Sequence, residues 1–202
     1  MADHLDHPLD ALAFDTVAPA GHYGLAGTAG VTATRLEGLT IATLQARKGA
    51  SAALVERLQH ALTPAFVDAP RAVASGNTVF VGTGPARWLA LSEEGAELTA
   101  SLGSAAGPLA AVTEQSDAFI VFQLSGAKVP DTLAKGALID LDPRVFQIGD
   151  AATTVLSHLG VTLWRAGEER WRVLVGRSFH AAFCRFLIAS AAEYGLELDG
   201  RG

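Results

Sequence analysis

Residues 79–92 read VFVGTGPARWLALS, and this stretch decides between two folds for the chain. A glycine-rich loop after a strand can hold a phosphate, but a dinucleotide site needs a third glycine followed by a helix. The third position here is Arg87, and the residues RWLALS alternate between two faces as a strand does. The Gly-Lys-Ser/Thr sequence of a P-loop is also missing. The stretch therefore predicts a hairpin, in which glycine and proline supply the turn.

The remainder of the chain repeats one order of elements. Residues 31–107 predict strand, strand, helix, strand, strand, helix, and a similar order returns in residues 108–202. Hairpin-like connections disfavour a parallel doubly wound sheet. We therefore predict an α+β fold of two small modules packed together, each an antiparallel sheet with helices on one face. Their boundary is expected near Gly107-Pro108, and residues 1–30 are expected to form an N-terminal arm.

Three local details follow from the same patterns. Residues 31–37 and 39–47 alternate around Gly38 and predict a hairpin. Ser92 is expected to cap a short helix over residues 92–103, and Ser178 to cap the long closing helix over residues 178–195.

A second hairpin is predicted over residues 161–175, with its turn at Gly167-Glu168. This register sets Trp164 opposite Trp171 as an aromatic pair, and Arg165 opposite Arg170 as a like-charge pair. Two readings of the arginines stay open. Glu168 and Glu169 neutralise them, or the hairpin tip docks on an acidic surface of a partner.

Composition excludes several classes of function. The chain has 202 residues, half of them apolar, with a net charge of −6, which is unsuited to neutralising nucleic-acid phosphates. A single cysteine, Cys184, excludes an internal disulfide. The sequence starts with an acidic stretch and has no apolar run of about 18 residues, so we predict a cytoplasmic protein without a signal peptide or a membrane span.

No pattern of residues predicts a catalytic, cofactor-binding or metal site. The six histidines lack metal-ligand spacing, and GRSFH (residues 176–180) does not match a serine nucleophile elbow. Cys184 lies mid-helix beside Phe183 and is expected to be an inert buried thiol. Paired carboxylates suited to acid–base work are also missing.

The closing helix is apolar nearly all round, which predicts burial on more than one side. The core face is expected to comprise Phe179, Phe183, Phe186 and Leu187. The candidate subunit-interface residues are Ala181, Ile188, Ala189 and Ala192 on the far side of this helix, together with Arg165 and Arg170 of the hairpin. For the far side of the helix, packing against another subunit and packing within the chain both remain open.

Two long stretches resemble a known family. Residues 114–165 (EQSDAFIVFQLSGAKVPDTLAKGALIDLDPRVFQIGDAATTVLSHLGVTLWR) and 170–195 (RWRVLVGRSFHAAFCRFLIASAAEYG) strongly resemble the gamma subunit of heterotetrameric sarcosine oxidase. The resemblance covers roughly residues 30–195. It implies a fold like the folate-binding region of the glycine-cleavage T protein. It also implies a complex of alpha, beta, gamma and delta subunits that oxidatively demethylates sarcosine to glycine, hydrogen peroxide, and formaldehyde or methylenetetrahydrofolate.

The resemblance implies that FAD, FMN and NAD belong to the alpha and beta subunits, folate to alpha and a zinc to delta. It implies no cofactor for the gamma chain. Where the T protein carries acidic residues at its folate site, this chain has Gly160-Val161-Thr162. We therefore expect a noncatalytic subunit that acts in assembly and stabilisation. The alternatives are the equivalent subunit of a related complex, such as N-methylglutamate dehydrogenase, and a standalone folate-dependent enzyme of the T-protein type.

Overall fold

The structure is a computed structural model, and it describes residues 18–93 and 97–199. Two sheets and four α-helices make up these residues. The strands are β1 (Gly21–Tyr23), β2 (Val31–Leu36), β3 (Thr40–Ala46), β4 (Ala72–Ser75), β5 (Thr78–Gly84), β6 (Arg87–Ser92), β7 (Ala110–Glu114), β8 (Phe119–Ser125), β9 (Ala151–Leu156), β10 (Leu159–Arg165), β11 (Arg170–Gly176) and β12 (Leu196–Asp199). The helices are α1 (Ser51–Ala61), α2 (Leu98–Ala106), α3 (Val129–Ala134) and α4 (His180–Ala191).

The strands form a large and a small sheet. The large sheet has the order β1-β12-β2-β8-β11-β10-β9, and the small sheet has the order β4-β5-β6-β3-β7. Neighbouring strands are antiparallel except β12 and β2, which are parallel. The predicted α+β class with antiparallel sheets is therefore confirmed.

Alternation along the strands builds three apolar layers. The outer face of the large sheet, with Phe122 and Val173, packs on α4. The outer face of the small sheet, with Leu44 and Trp88, packs on α1 and α2. The inner faces of the two sheets meet in a third cluster that includes Leu89. The chain is thus arranged in the order helices, sheet, sheet, helices.

The glycine-rich stretch of residues 79–92 forms the β5–β6 hairpin, as predicted. Val79 pairs with Leu91, and the register becomes irregular between Gly82 and Gly84. Gly82 is required by packing, because a Cβ on it would lie 1.9 Å from the carbonyl oxygen of Ala69. Glycine at this position thus permits a close approach of two backbone segments.

The predicted hairpin around Gly38 is wrong. β2 pairs with β8 and β12 in the large sheet, whereas β3 pairs with β6 and β7 in the small sheet. Gly38, with φ of +70°, passes the chain from one sheet to the other. β7 likewise lies in the small sheet although it follows Gly107-Pro108. The module boundary at Gly107-Pro108 stays a prediction: β1 and β2, which precede it, lie in the large sheet, and β7, which follows it, lies in the small sheet.

Both predicted serine caps are wrong. Ser92 is the last residue of β6, where it is 5% exposed, and α2 begins only at Leu98. Ser178 lies within a 3₁₀ turn, Arg177–Phe179, and α4 begins after it at His180. In each case the chain inserts a few residues between strand and helix that the periodicity of the sequence does not reveal.

The predicted β10–β11 register is shifted by one residue. Trp164 lies opposite Arg172, and Arg165 lies opposite Trp171. The amides of Ala166 and Gly167 both donate to the carbonyl of Arg170, so the loop holds one residue more than predicted. A one-residue slip changes which side chains share a face. Trp164 consequently lies between the sheets, and Trp171 lies in the core of the large sheet's outer face.

Candidate functional site

A cleft of about 510 Å³ opens where the inner faces of the two sheets separate. Its polar lining residues come from both sheets: Thr43, Gln45, Thr83, Arg87, Thr153 and Thr162. A cleft of this volume is in the range of small-molecule sites in proteins. The residues that line it include no carboxylate.

Side chains hold one another in fixed positions within the cleft. Arg87 Nε donates to Gln45 Oε1 at 2.6 Å, and Gln45 Nε2 donates to the Ala86 carbonyl at 2.9 Å. On the opposite wall the hydroxyl oxygens of Thr153 and Thr162 lie 3.0 Å apart and share a hydrogen bond. These groups can bind and orient a polar ligand. This lining contains no Ser, Cys, Lys, His or carboxylate side chain, so its threonine hydroxyls have no general base beside them in the lining.

The Gly160-Val161-Thr162 stretch, where a folate site would carry an acid, lies on β10. All three residues line the cleft, and Val161 also belongs to the outer core of the large sheet. The comparison with the T protein pointed to these residues as lacking a carboxylate, and they line the cleft. The sequence did not predict the cleft itself, for which the only signal was glycine in a strand interior.

Helix α4 buries one face against the large sheet. Phe183 packs on Phe122 with ring centroids 4.9 Å apart, and Leu187 is also buried. Phe186 is half-buried, but Phe179 is 51% exposed in the turn before the helix. The predicted core position of Phe179 is therefore wrong, because the helix begins one residue after it.

The candidate interface residues on the far side of α4 do not form one exposed surface. Ile188 is half-buried and packs against the core of the large sheet. The Ala192 carbonyl accepts the Leu25 amide at 2.7 Å, so the chain's own N-terminal segment covers this end. Ala181 is half-buried and Ala189 is exposed. Contact of these residues with another subunit stays a prediction.

The two candidate arginines of the hairpin differ in environment. Arg165 is 8% exposed, and its Nη1 donates to the carbonyls of Pro143 and Phe146 at 2.9 and 3.0 Å. Its Nη2 donates to the Glu168 carbonyl at 3.0 Å, so a backbone oxygen takes the place of the predicted carboxylate. Arg170 is exposed. Of the two, only Arg170 presents its side chain at the surface.

Cys184 lies in the core, and the histidines of the described residues belong to no group that could hold a metal ion. Cys184 is 2% exposed, which confirms its predicted burial, and that burial raises the pKa of the thiol to about 11. Over residues 18–93 and 97–199, no group of three or more His, Cys, Asp or Glu side chains could hold a metal ion. The four helices of this part of the chain are each too short or too polar to cross a membrane.

The fold defines a class of protein. The glycine cleavage system aminomethyltransferase T from Bartonella henselae superposes with a TM-score of 0.68, over 95% of this chain and 59% of that one. The two are 14% identical, so this match shows a shared fold. The fold that the resemblance implied is therefore confirmed.

The family follows from closer matches. A profile of the sarcosine oxidase gamma subunit family matches residues 46–193. Curated gamma subunits from Corynebacterium sp. strain P-1 and Arthrobacter sp. are 38% and 35% identical over 59% and 60% of this chain. The chain spans 60% of the length of each of these relatives in those matches. The chain belongs to the sarcosine oxidase gamma subunit family.

A solved complex gives a further match. It is the heterotetrameric sarcosine oxidase from Corynebacterium sp. U-96 in complex with pyrrole 2-carboxylate. One of its chains is 29% identical and superposes with a TM-score of 0.72, covering 91% of this chain and 92% of that one.

Proposed function

We propose that the chain is a noncatalytic subunit of a heterotetrameric sarcosine oxidase and acts in assembly and stabilisation of the complex. The observation that carries this proposal is the match, over nine-tenths of both chains, to a chain of a heterotetrameric sarcosine oxidase. The complex would oxidatively demethylate sarcosine to glycine, hydrogen peroxide, and formaldehyde or methylenetetrahydrofolate. Its partners would be the alpha, beta and delta subunits, in the cytoplasm, with no role for nucleic acid or membrane.

The chemistry of the described side chains supports a noncatalytic role. The cleft lining supplies hydroxyls, an amide and a guanidinium but no carboxylate, and Cys184 is held in its unreactive thiol form. We propose that this chain carries no cofactor and that FAD, FMN, NAD and tetrahydrofolate belong to other subunits. The purified chain should then be colourless and inert toward sarcosine.

Copurification from a host that also produces the other subunits tests the proposal. A tagged chain should recover three further polypeptides, flavin absorbance, and oxidase activity on sarcosine. The isolated chain, purified in parallel, should show neither flavin absorbance nor activity. Stoichiometric flavin in the isolated chain, or recovery of the chain alone from the co-producing host, would overturn the proposal. Activity of the recovered complex on N-methylglutamate in place of sarcosine would reassign it to the related dehydrogenase.

A further inference from the structure

We propose that the cleft between the two sheets binds a small, flat carboxylate. The ring of the ligand lies over Gly160 and beside the Phe179 ring, and its carboxylate pairs with Arg87. This site is separate from the proposed assembly role and does not depend on it. Three features of the cleft carry the proposal: its glycine floor, its apolar walls and its single charge.

The floor of the cleft consists of glycines on two neighbouring strands. Val161 of β10 pairs with Val175 of β11. Gly160 and Gly176 therefore lie opposite each other at the next position of the ladder, on the cleft side. Neither has a positive φ, so the backbone conformation does not require glycine at either position. A Cβ on Gly160 would meet nothing within 4 Å, so packing within the chain does not require glycine there either.

Glycine in a strand interior carries a cost, since it gives up side-chain packing and adds backbone entropy to the unfolded chain. A recurring reason for it is the close approach of a ligand to the backbone. At Gly160 the missing side chain leaves flat peptide surface exposed at the base of the cleft, whereas at Gly176 the Phe179 ring lies against the position that a side chain would take. A planar ring can lie on such a surface, whereas a bulky saturated group cannot approach it as closely.

The walls beside this floor are apolar. Phe119 and Leu174 line the cleft from the large sheet, and Leu89 lines it from the small sheet. The Phe179 ring lies next to the floor, 3.3 Å from the position of a Cβ on Gly176. The sequence predicted that Phe179 would be buried in the core. Phe179 is exposed instead, so the edge of its ring lies beside the cleft. Aromatic and aliphatic walls favour an unsaturated ring over a polar chain.

The charge of the lining selects the sign of the ligand. Arg87 is the charged residue of the lining, and it forms no ion pair with any acid in residues 18–93 or 97–199. Its Nε is already held by Gln45, which fixes the plane of the guanidinium and leaves the Nη groups to meet a carboxylate. Thr153 and Thr162 offer hydroxyls on the opposite wall. A cation would be repelled. The lining offers no carboxylate to accept hydrogen bonds from the ring N–H groups of a pterin.

Binding of matched probes to the purified full chain tests the site. The probes are 2-naphthoate, its neutral amide 2-naphthamide, and the cation 2-naphthylmethylammonium. Affinity is measured by calorimetry, and the location of binding by amide chemical shifts in ¹H–¹⁵N spectra. We expect 2-naphthoate to bind about threefold to fivefold more tightly than the amide, because Arg87 is exposed and an exposed ion pair has that order of effect. The largest amide shifts should fall on Gly160 and Gly176.

Two variants separate the contributions of charge and floor. Arg87→Gln should remove the preference for the carboxylate, while Arg170→Gln, at an exposed arginine of the distant hairpin tip, should keep it. Gly160→Val should fill the floor and abolish binding without unfolding the chain, because its Cβ points into open space. Gly103→Ala, at a glycine of α2 that also has free space, should bind as the original chain does.

Equal affinity for the carboxylate and the amide would overturn the proposal. So would a Gly160→Val variant that binds normally, or amide shifts confined to another part of the chain. Copurification of the other subunits does not enter any of these outcomes, so failure of the cleft proposal and failure of the assembly proposal are distinguishable.

Discussion

Arg165 lies directly opposite Trp171 in the β10–β11 ladder, with its guanidinium carbon 5.9 Å from the centre of the indole ring. The Trp171 ring in turn stacks on Phe146, with ring centroids 5.3 Å apart. Since Arg165 also donates to the Phe146 and Glu168 carbonyls, it joins the hairpin tip to the loop before β9. The sequence suggested a surface position for Arg165. In the structure it is buried and links the hairpin tip to the loop before β9 through hydrogen bonds.

Replacing this arginine should therefore destabilise the chain. Arg165→Met keeps most of the side-chain volume but leaves the carbonyls of Pro143, Phe146 and Glu168 without their donor. We expect the free energy of unfolding to fall by about 2 to 4 kcal/mol. Chemical denaturation of the purified chain, followed by tryptophan fluorescence, measures it.

The matched control is Arg170→Met, at the exposed arginine of the same hairpin. It should change the free energy of unfolding by no more than about 0.5 kcal/mol. Equal effects of the two substitutions would show that Arg165 has no special structural role.

Local features of the fold could be predicted from the sequence. The β5–β6 hairpin follows from alternation on both sides of a glycine-proline turn, all within residues 78–92. Strand partners could not be predicted in the same way. β2 alternates as a hairpin partner of β3 would, but its buried residues Val31 and Ala33 belong to the core of the other sheet. Alternation shows that a strand has a buried face and does not identify the strand beside it.

The candidate site was harder to predict than the strands. Gly160 and Gly176 lie 16 residues apart in the sequence and become neighbours only through the β10–β11 register. That register depends on one extra loop residue, held by two bonds to the Arg170 carbonyl. Arg87 reaches the same cleft from the other sheet. A site assembled from two sheets needs their relative placement, which periodicity does not contain.

The attachment of residues 21–25 to the rest of the chain should depend on pH. His22 lies on β1, with Nε2 2.7 Å from the Leu25 carbonyl and Nδ1 3.2 Å from a Glu197 carboxylate oxygen on β12. The Leu25 carbonyl first, and then Glu197, raise the pKa of His22 above its ordinary value of about 6.5. A raised pKa in the folded state stabilises the attachment below pH 6.5, and this stabilisation is lost as pH rises through the folded pKa.

Hydrogen exchange tests this expectation. After correction for intrinsic exchange rates, amides of residues 21–25 should be more protected at pH 6 than at pH 8. His22→Gln should remove this difference, since glutamine does not titrate. Amides in β8, which is the central strand of the large sheet, serve as the internal reference. Protection at residues 21–25 that is the same at both pH values would contradict a role for His22.

Cys184 should be unreactive in the folded chain. Burial raises the pKa of its thiol to about 11, so the thiolate fraction at pH 8 is on the order of one in a thousand. Iodoacetamide at pH 8 should leave the native chain unmodified over hours and alkylate it within minutes in denaturant, as followed by mass spectrometry. Rapid alkylation under native conditions would mean that α4 opens frequently from the sheet.

Helix α4 provides the last prediction, because two adjacent residues on its far side differ in burial. Ala189 is exposed, so Ala189→Glu should leave the isolated chain folded. If this position meets another subunit, the added charge should lower recovery of the chain in the complex several-fold, since a close apolar contact tolerates neither its bulk nor its desolvation. Ile188 is half-buried against the core of the large sheet, so Ile188→Glu should instead destabilise the isolated chain by about 2 to 4 kcal/mol.

Circular dichroism of each isolated variant, beside a pull-down of the other subunits, separates folding from assembly. Ala53→Glu is the matched control, since Ala53 is an exposed alanine on helix α1, which packs on the other sheet. It should fold and assemble as the original chain does. A folded Ala189→Glu variant that is recovered in the complex at the level of the Ala53→Glu control would exclude this side of α4 from the interface. A loss of recovery confined to Ala189→Glu would instead identify the surface around Ala189 as part of the subunit contact.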